Sequence, residues 1–321
     1  MNKISVVIIM LLAVIMAGCS TTVEQTQEEG EVVSNPTIVT SFYPVEEITK
    51  AIVQDTATVE VLVGTGVEPH SFEPSAQQVV KFSNANIFVT MEGMFEHVEE
   101  EMIDSNSNII VIEAAHNLKL IKGGKHDEHH DEHEEEDHNE EKHDEHDDHN
   151  HGEYDPHVWL SIHNMEKMTE EITEHLVELY PQNKELYERN AQAYINQLET
   201  LEEEYEVKLS SCKYEEIIVN HKAFGYLAHE YGFEQVGVAG FSPESEPTPK
   251  TIQAVIDEAR EHNLTVVFSE GQIDSKTAKT IANDINGQVL ELNPLRLNDN
   301  EDYFSIMRAN LNNLAIGLNC K

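Results

Sequence analysis

Four segments of the chain carry histidine or acid in settings that suit metal binding. They are Val67-Glu68-Pro69-His70, Asp155-Pro156-His157-Val158-Trp159-Leu160, Asn220-His221-Lys222-Ala223-Phe224-Gly225-Tyr226 and Phe268-Ser269-Glu270-Gly271. Imidazole nitrogen together with carboxylate oxygen is a donor set that suits zinc. The candidate ligands are His70, His157, His221 and Glu270. Asp155 lies two residues before His157 and is placed to orient its ring. The prolines before His70 and His157 stiffen both loops and lower the entropy cost of holding a donor still. A single loop histidine is usually a surface residue, so placement has to carry the argument. Glu270 is the least constrained of the four, since an acid after a strand often caps the next helix. Water or Glu68 is the alternative fourth donor.

Placement comes from the elements around these segments. Short apolar runs alternate with helical stretches from Thr37 onward: Ile38–Thr40, Val59–Val63, Ile87–Val89 and Ile109–Ile112 read as strands, Val45–Gln54 and Ser75–Asn84 as helices. The same rhythm restarts at Ile217–Val219 and continues through Val236–Val238, Thr265–Phe268 and Gln288–Leu290. The expectation is therefore an α/β protein with two parallel-sheet lobes. His70, His221 and Glu270 each follow a strand, where ligands of open parallel sheets bind. His157 has no strand before it. If the lobes face each other, three imidazoles and a carboxylate converge on the cleft between them.

Between the lobes, Asn164 to Ser211 is helical with a break at Tyr180-Pro181. Pro181 suits the first turn of a second helix of about 28 residues, roughly 40 Å long. Its apolar positions Tyr187, Ala191, Tyr194, Leu198, Leu201 and Tyr205 recur every three or four residues. It reads both as an amphipathic packing helix and as a rigid connector along both lobes. The expected division is a 1–18 signal, a 19–35 tether, a 36–181 lobe, a 182–211 connecting helix and a 212–321 lobe.

The N-terminus reads as an export address. Lys3 precedes an apolar run from Ile4 to Met16, too short for a comfortable membrane span. Met16-Ala17-Gly18-Cys19 resembles a lipobox, with Met16 where leucine is common. Acylation of Cys19 would tie the protein to membrane lipid. The alternatives are an ordinary cleaved signal and an uncleaved anchor. The chain of 321 residues is 39% hydrophobic, enough for buried cores, and has a net charge of −41. That charge excludes nucleic acid as a partner and suits a protein that attracts cations. Residues 126–151 hold nine histidines, fourteen acids and one lysine, with no apolar residue. They form no core and read as a disordered insertion in the first lobe. With Cys19 in the export signal, Cys212 and Cys320 remain as one possible disulfide. Cys212 precedes the first strand of the second lobe, and the final helix, roughly Tyr303 to Leu318, should run back towards it.

From about Thr37 onward, the chain resembles the metal-specific solute-binding proteins of bacterial ABC importers, in the zinc/manganese cluster. The resemblance rests on Ser41-Phe42-Tyr43-Pro44, Glu68-Pro69-His70, Asp155-Pro156-His157-Val158-Trp159-Leu160 and His221-Lys222-Ala223-Phe224-Gly225-Tyr226-Leu227. The insertion looks like that of the zinc branch. Ile162-His163 departs from the pattern, where a proline is common. The resemblance implies two lobes joined by a long rigid helix, with Zn2+ in the interlobe cleft. It implies histidine ligands at His70, His157 and His221, and in one zinc subgroup a glutamate ligand at Glu270. It implies an extracytoplasmic lipoprotein, anchored to the cell membrane, that hands zinc to permease and ATPase subunits and is not an enzyme. Two other readings stay open. A zinc hydrolase needs an open coordination position and a base; no His-Glu-x-x-His occurs, and three histidines with Glu270 fill four positions. A metal-binding surface adhesin of the same family is the other. His97, His116, His163, His175, His229 and His262 read as surface residues, and Trp159 as a core anchor for the His157 loop.

Overall fold

The computed structural model describes residues 35–64, 67, 69–91, 96–122, 154–241, 247–271, 275–295 and 301–321. The export signal, most of the tether and the His/acid insertion lie outside the described residues. The first half builds a four-stranded sheet from β1 (Thr37–Thr40), β2 (Thr58–Val61), β3 (Ile87–Thr90) and β4 (Ile110–Glu113). Helices α1 (Tyr43–Val53), α2 (Ala76–Phe82) and α3 (Glu96–Ser105) alternate with these strands. The strand order is β2-β1-β3-β4, with every pairing parallel. Central β3 is buried throughout and the edge strands are partly exposed. That is why β3 reads as a continuous apolar run rather than an alternation. Ser75 caps α2 in a reciprocal box with Gln78.

Two helices follow, α4 (Ile162–Leu179) and α5 (Lys184–Leu209). Pro181 opens the first turn of the long helix, as the sequence suggests: that turn is 3-10, Pro181–Asn183, and it runs directly into the 26 residues of α5. The second half repeats the first. It comprises β5 (Glu216–Val219), α6 (Gly225–Tyr231), β6 (Glu234–Gly237), α7 (Pro249–Glu261), β7 (Val266–Ser269), α8 (Ser275–Asp284), β8 (Gln288–Glu291) and α9 (Tyr303–Gly317). The order is β6-β5-β7-β8, again all parallel. Strand β6 begins two residues earlier than its apolar residues suggest, because Glu216 pairs with Glu234 in register.

Helix α5 touches both lobes. Near its start, Asn190 donates to the Ile52 carbonyl at 2.9 Å, and Tyr187 shares a 2.9 Å hydrogen bond with Thr56. Near its end, Tyr205 donates to the Met307 carbonyl at 2.7 Å, and Arg308 grips Glu204 with two bonds of 2.8 and 3.0 Å. The apolar stripe from Tyr187 to Tyr205 is buried in one continuous core that draws on both lobes. Cys212 and Cys320 form a disulfide across 108 residues of sequence. The backbone around it pairs as well, Tyr214 N–H donating to the Leu318 carbonyl at 3.0 Å. Among the described residues, no helix is long and apolar enough to cross a membrane.

Candidate metal centre

His221 lies two residues after β5, and Glu270 one residue after β7. These strands are neighbours in the sheet, so residues 49 apart in sequence meet at one sheet end. Glu270 Oε1 accepts from the His221 backbone N–H at 3.2 Å and lies 2.5 Å from His221 Nδ1. His157 is positioned from the first half, just before the 3-10 turn Val158–Leu160 that leads to Ser161, the cap of α4. Asp155 Oδ1 accepts from the His157 backbone N–H at 3.0 Å and lies 2.8 Å from His157 Nδ1. The two lobes thus use the same device. One carboxylate oxygen holds the backbone and the ring of one histidine. All four residues are buried.

The device fixes the tautomers. A carboxylate oxygen accepts, so each Nδ1 carries the proton and each Nε2 presents a lone pair. The two Nε2 atoms stand 3.3 Å apart. Two facing lone pairs in a buried setting repel unless a proton or cation stands between them. Two nitrogens bound tetrahedrally to zinc at about 2.0–2.1 Å lie ~3.3–3.4 Å apart. The histidine pair therefore already has the edge length of a tetrahedral zinc site. Burial pushes the Asp155 carboxyl up to about 7, against the lowering effect of the His157 N–H. A dication on His157 would favour the carboxylate form.

Aromatic rings close the surroundings. Trp159 lies 5.1 Å from the His157 ring, and Phe241 lies 6.4 Å from it. Trp159 anchors the loop across the lobes, its Nε1 donating to the Pro294 carbonyl at 2.8 Å. The backbone of His70 falls in the 3-10 turn Pro69–Ser71. Its side chain, like Glu68, lies outside the described residues. Of the four candidate ligands, the described geometry brings together His157, His221 and Glu270. Sequence reasoning missed that Glu270 holds the His221 ring as Asp155 holds His157. The signal was the equivalent task in each lobe, one acid for each histidine.

His116, His163, His229 and His262 are exposed and His175 is half-buried, and four of the five lie beside acids. His262 gathers Glu216 and Glu258 on the surface at the end of β5 opposite His221. Its hydrogen bond to the Glu216 carboxylate raises its basicity, as a surface ion pair does.

Two parallel-sheet lobes on one long helix, with a histidine from each lobe meeting between them, define a two-lobe binding protein. The model of the ZnuA family, zinc-uptake complex component A periplasmic, matches residues 38–317, and the chain belongs to that family. It is 35% identical over 320 residues to the zinc-binding lipoprotein AdcA of Streptococcus pneumoniae, covering 97% of this chain and 60% of that protein. The chain thus spans about three fifths of the length of that streptococcal relative. It is 36% identical over 291 residues to the high-affinity zinc uptake system protein ZnuA of Bacillus subtilis, covering 88% of this chain and 87% of that one. The Zn(II)-bound ZnuA-like domain of S. pneumoniae AdcA superposes with a TM-score of 0.72 at 32% identity, over 88% of this chain and 99% of that one. The laminin-binding protein Lmb of Streptococcus agalactiae, described as having adhesin and metal-transporting activity, superposes with a TM-score of 0.75 at 29% identity, over 88% of this chain and 99% of that one.

Proposed function

We propose that the chain is the extracytoplasmic zinc-capturing component of an ABC importer. Zinc is its cargo, handed to permease and ATPase subunits. The observation that carries this reading is the 3.3 Å approach of His157 Nε2 and His221 Nε2, each ring held through Nδ1 by a carboxylate. The proposed ligands are His70 and His157 from the first lobe and His221 and Glu270 from the second. Three neutral imidazoles favour zinc over manganese, which prefers more oxygen donors. The lobes are taken as 36–181 and 212–321, with 182–211 as the connecting helix. The net charge of −41 raises the local concentration of cations around the cleft. Acylation of Cys19 keeps the protein at the membrane beside its permease. Zinc binding without turnover separates this reading from a hydrolase.

A strain lacking the chain should grow poorly under zinc chelation and recover with wild-type chain but not with His221→Ala. Full zinc uptake in the lacking strain would overturn the proposal. The likeness to Lmb supports a second reading, surface adhesion. Binding of the full chain to immobilised laminin tests it, and no binding above a control protein would remove it.

A further inference from the structure

The loop that carries His157 is held from the opposite lobe. Ile121 and Asp155 are paired through backbone, Asp155 N–H donating to the Ile121 carbonyl at 3.0 Å, next to the bridge between Lys122 and Tyr154. The hydroxyl of Tyr226, at the start of α6, joins both strands of this pair. It accepts from the Ile121 N–H at 3.3 Å and donates to the Asp155 carbonyl at 2.9 Å. Burial, with the nearby Asp155, holds the Tyr226 phenol above its usual range despite the Ile121 N–H, so it remains a hydrogen-bond donor.

Gly225 meets the same aspartate from the other side. A Cβ there would stand 2.3 Å from Asp155 Oδ2 and 3.2 Å from Gln235 Nε2. Gly225 is therefore demanded by space. Its backbone packs on the carboxylate whose other oxygen holds the His157 ring. The amide of the preceding residue, Phe224, is fixed by Gln235 Oε1 at 3.0 Å. One short segment of the second lobe, His221 to Tyr226, carries a candidate ligand and also grips the support of the first lobe's ligand.

We infer that Gly225 and Tyr226 are positioning residues that set the aim of His157 across the lobe boundary, through Asp155. The inference rests on the reading of His157 as a zinc ligand. It makes the first-lobe donor dependent on the seating of the second lobe. Parting the lobes would then misdirect His157 as well as remove His221, and release would need less separation than breaking each bond in turn.

The alternative is that Tyr226 is a buried packing residue whose hydroxyl needed partners. Tyr205 supplies the control, a buried tyrosine donating to the Met307 carbonyl away from the site. The experiment compares Tyr226→Phe and Tyr205→Phe in the full chain. Affinity of the tightest site is read by competition with a zinc chelator, and ligand geometry by the visible spectrum with one equivalent of cobalt. Tyr226→Phe should weaken zinc binding about tenfold, in the range for residues supporting a ligand, and change the cobalt bands. Tyr205→Phe should lower thermal stability and leave both readings as in wild type. In an Asp155→Ala background, Tyr226→Phe should add less than about twofold, because the path runs through that side chain. Wild-type affinity and bands in Tyr226→Phe, or a full additive loss in the Asp155→Ala background, would overturn the inference. His157→Ala distinguishes the two levels. If it binds zinc as wild type does, the ligand reading itself fails. If it loses binding while Tyr226→Phe does not, only the positioning role fails.

Discussion

His157 and His221, from different lobes and 64 residues apart, point their Nε2 atoms at each other across 3.3 Å. Each ring is turned the right way by an acid behind it. This preorganisation means that little ring rotation has to be frozen when a cation arrives.

Glu270 stands behind His221 in this arrangement and is also proposed as a ligand. Glu270→Ala removes both the charge and the hold on the ring, so zinc affinity should fall by more than about a hundredfold, beyond the usual cost of losing a supporting residue alone. Glu270→Gln keeps an acceptor for Nδ1 and should lose less. Glu68→Ala should change affinity only slightly. Chelator competition measures all three, and wild-type affinity in Glu270→Ala would remove Glu270 from the ligand set while leaving the histidines.

Residues 126–151 should collect zinc weakly, and either pass it to the cleft or sense its abundance. Deleting them should reduce the zinc ions bound per chain and leave one tight site. Free imidazole is half-protonated near about pH 6.5, so the extra ions should be lost as pH falls through that range. A calorimetric titration that finds one equivalent with the insertion intact would end this collecting role.

The Cys212–Cys320 bond closes most of the second half of the chain, its partners 108 positions apart in sequence. Replacing both cysteines by serine should cost about 2–5 kcal/mol in urea unfolding, through the freedom restored to the unfolded chain. Thiol counting on unfolded, unreduced and delipidated protein should find neither cysteine reactive. Two reactive thiols would contradict the bond.

Glu166 lies on α4 with its side chain 15% exposed. Burial, with the charges of Glu202 and Glu199, pushes its carboxyl up to about 7. The folded state therefore holds this proton more tightly than the unfolded state. Stability from this group is complete below the unfolded value of about 4.3 and falls as pH rises to about 7. Glu166→Gln should therefore stabilise the protein at about pH 8 by ~1 kcal/mol, discounted for solvent screening, or roughly 2–4 °C in Tm. At about pH 4 the variant and wild type should melt alike. A pH-independent difference would show that ionisation of the Glu166 carboxyl in its buried, acidic setting is not the cause.

Much of this was legible in the sequence because it depends on local pattern. The apolar runs at Ile38, Ile87, Ile217 and Val266 mark buried strands. Their ends mark where His221 and Glu270 must lie. Strand order is not local. That β5 lies beside β7, and so brings Glu270 onto the His221 ring, follows from how the helices pack and leaves no period in the sequence. The same holds for Gly225, whose need for space arises from Asp155, 70 positions earlier in the chain. Pro181 was legible as the start of the long helix because its fixed backbone angle suits a first turn, whether 3-10 or α.

Helix α5 has a kinetic consequence. It is bonded to Ile52 in one lobe and to Met307 in the other, with no break along its 26 residues. Lobes mounted on such a strut part by twisting or bending one helix, rather than by swinging on a loop. Such a motion displaces little solvent. The rate of zinc exchange should then be governed by the chemistry of the bonds to the ion and stay nearly independent of solvent viscosity, as a wide diffusive hinge would not.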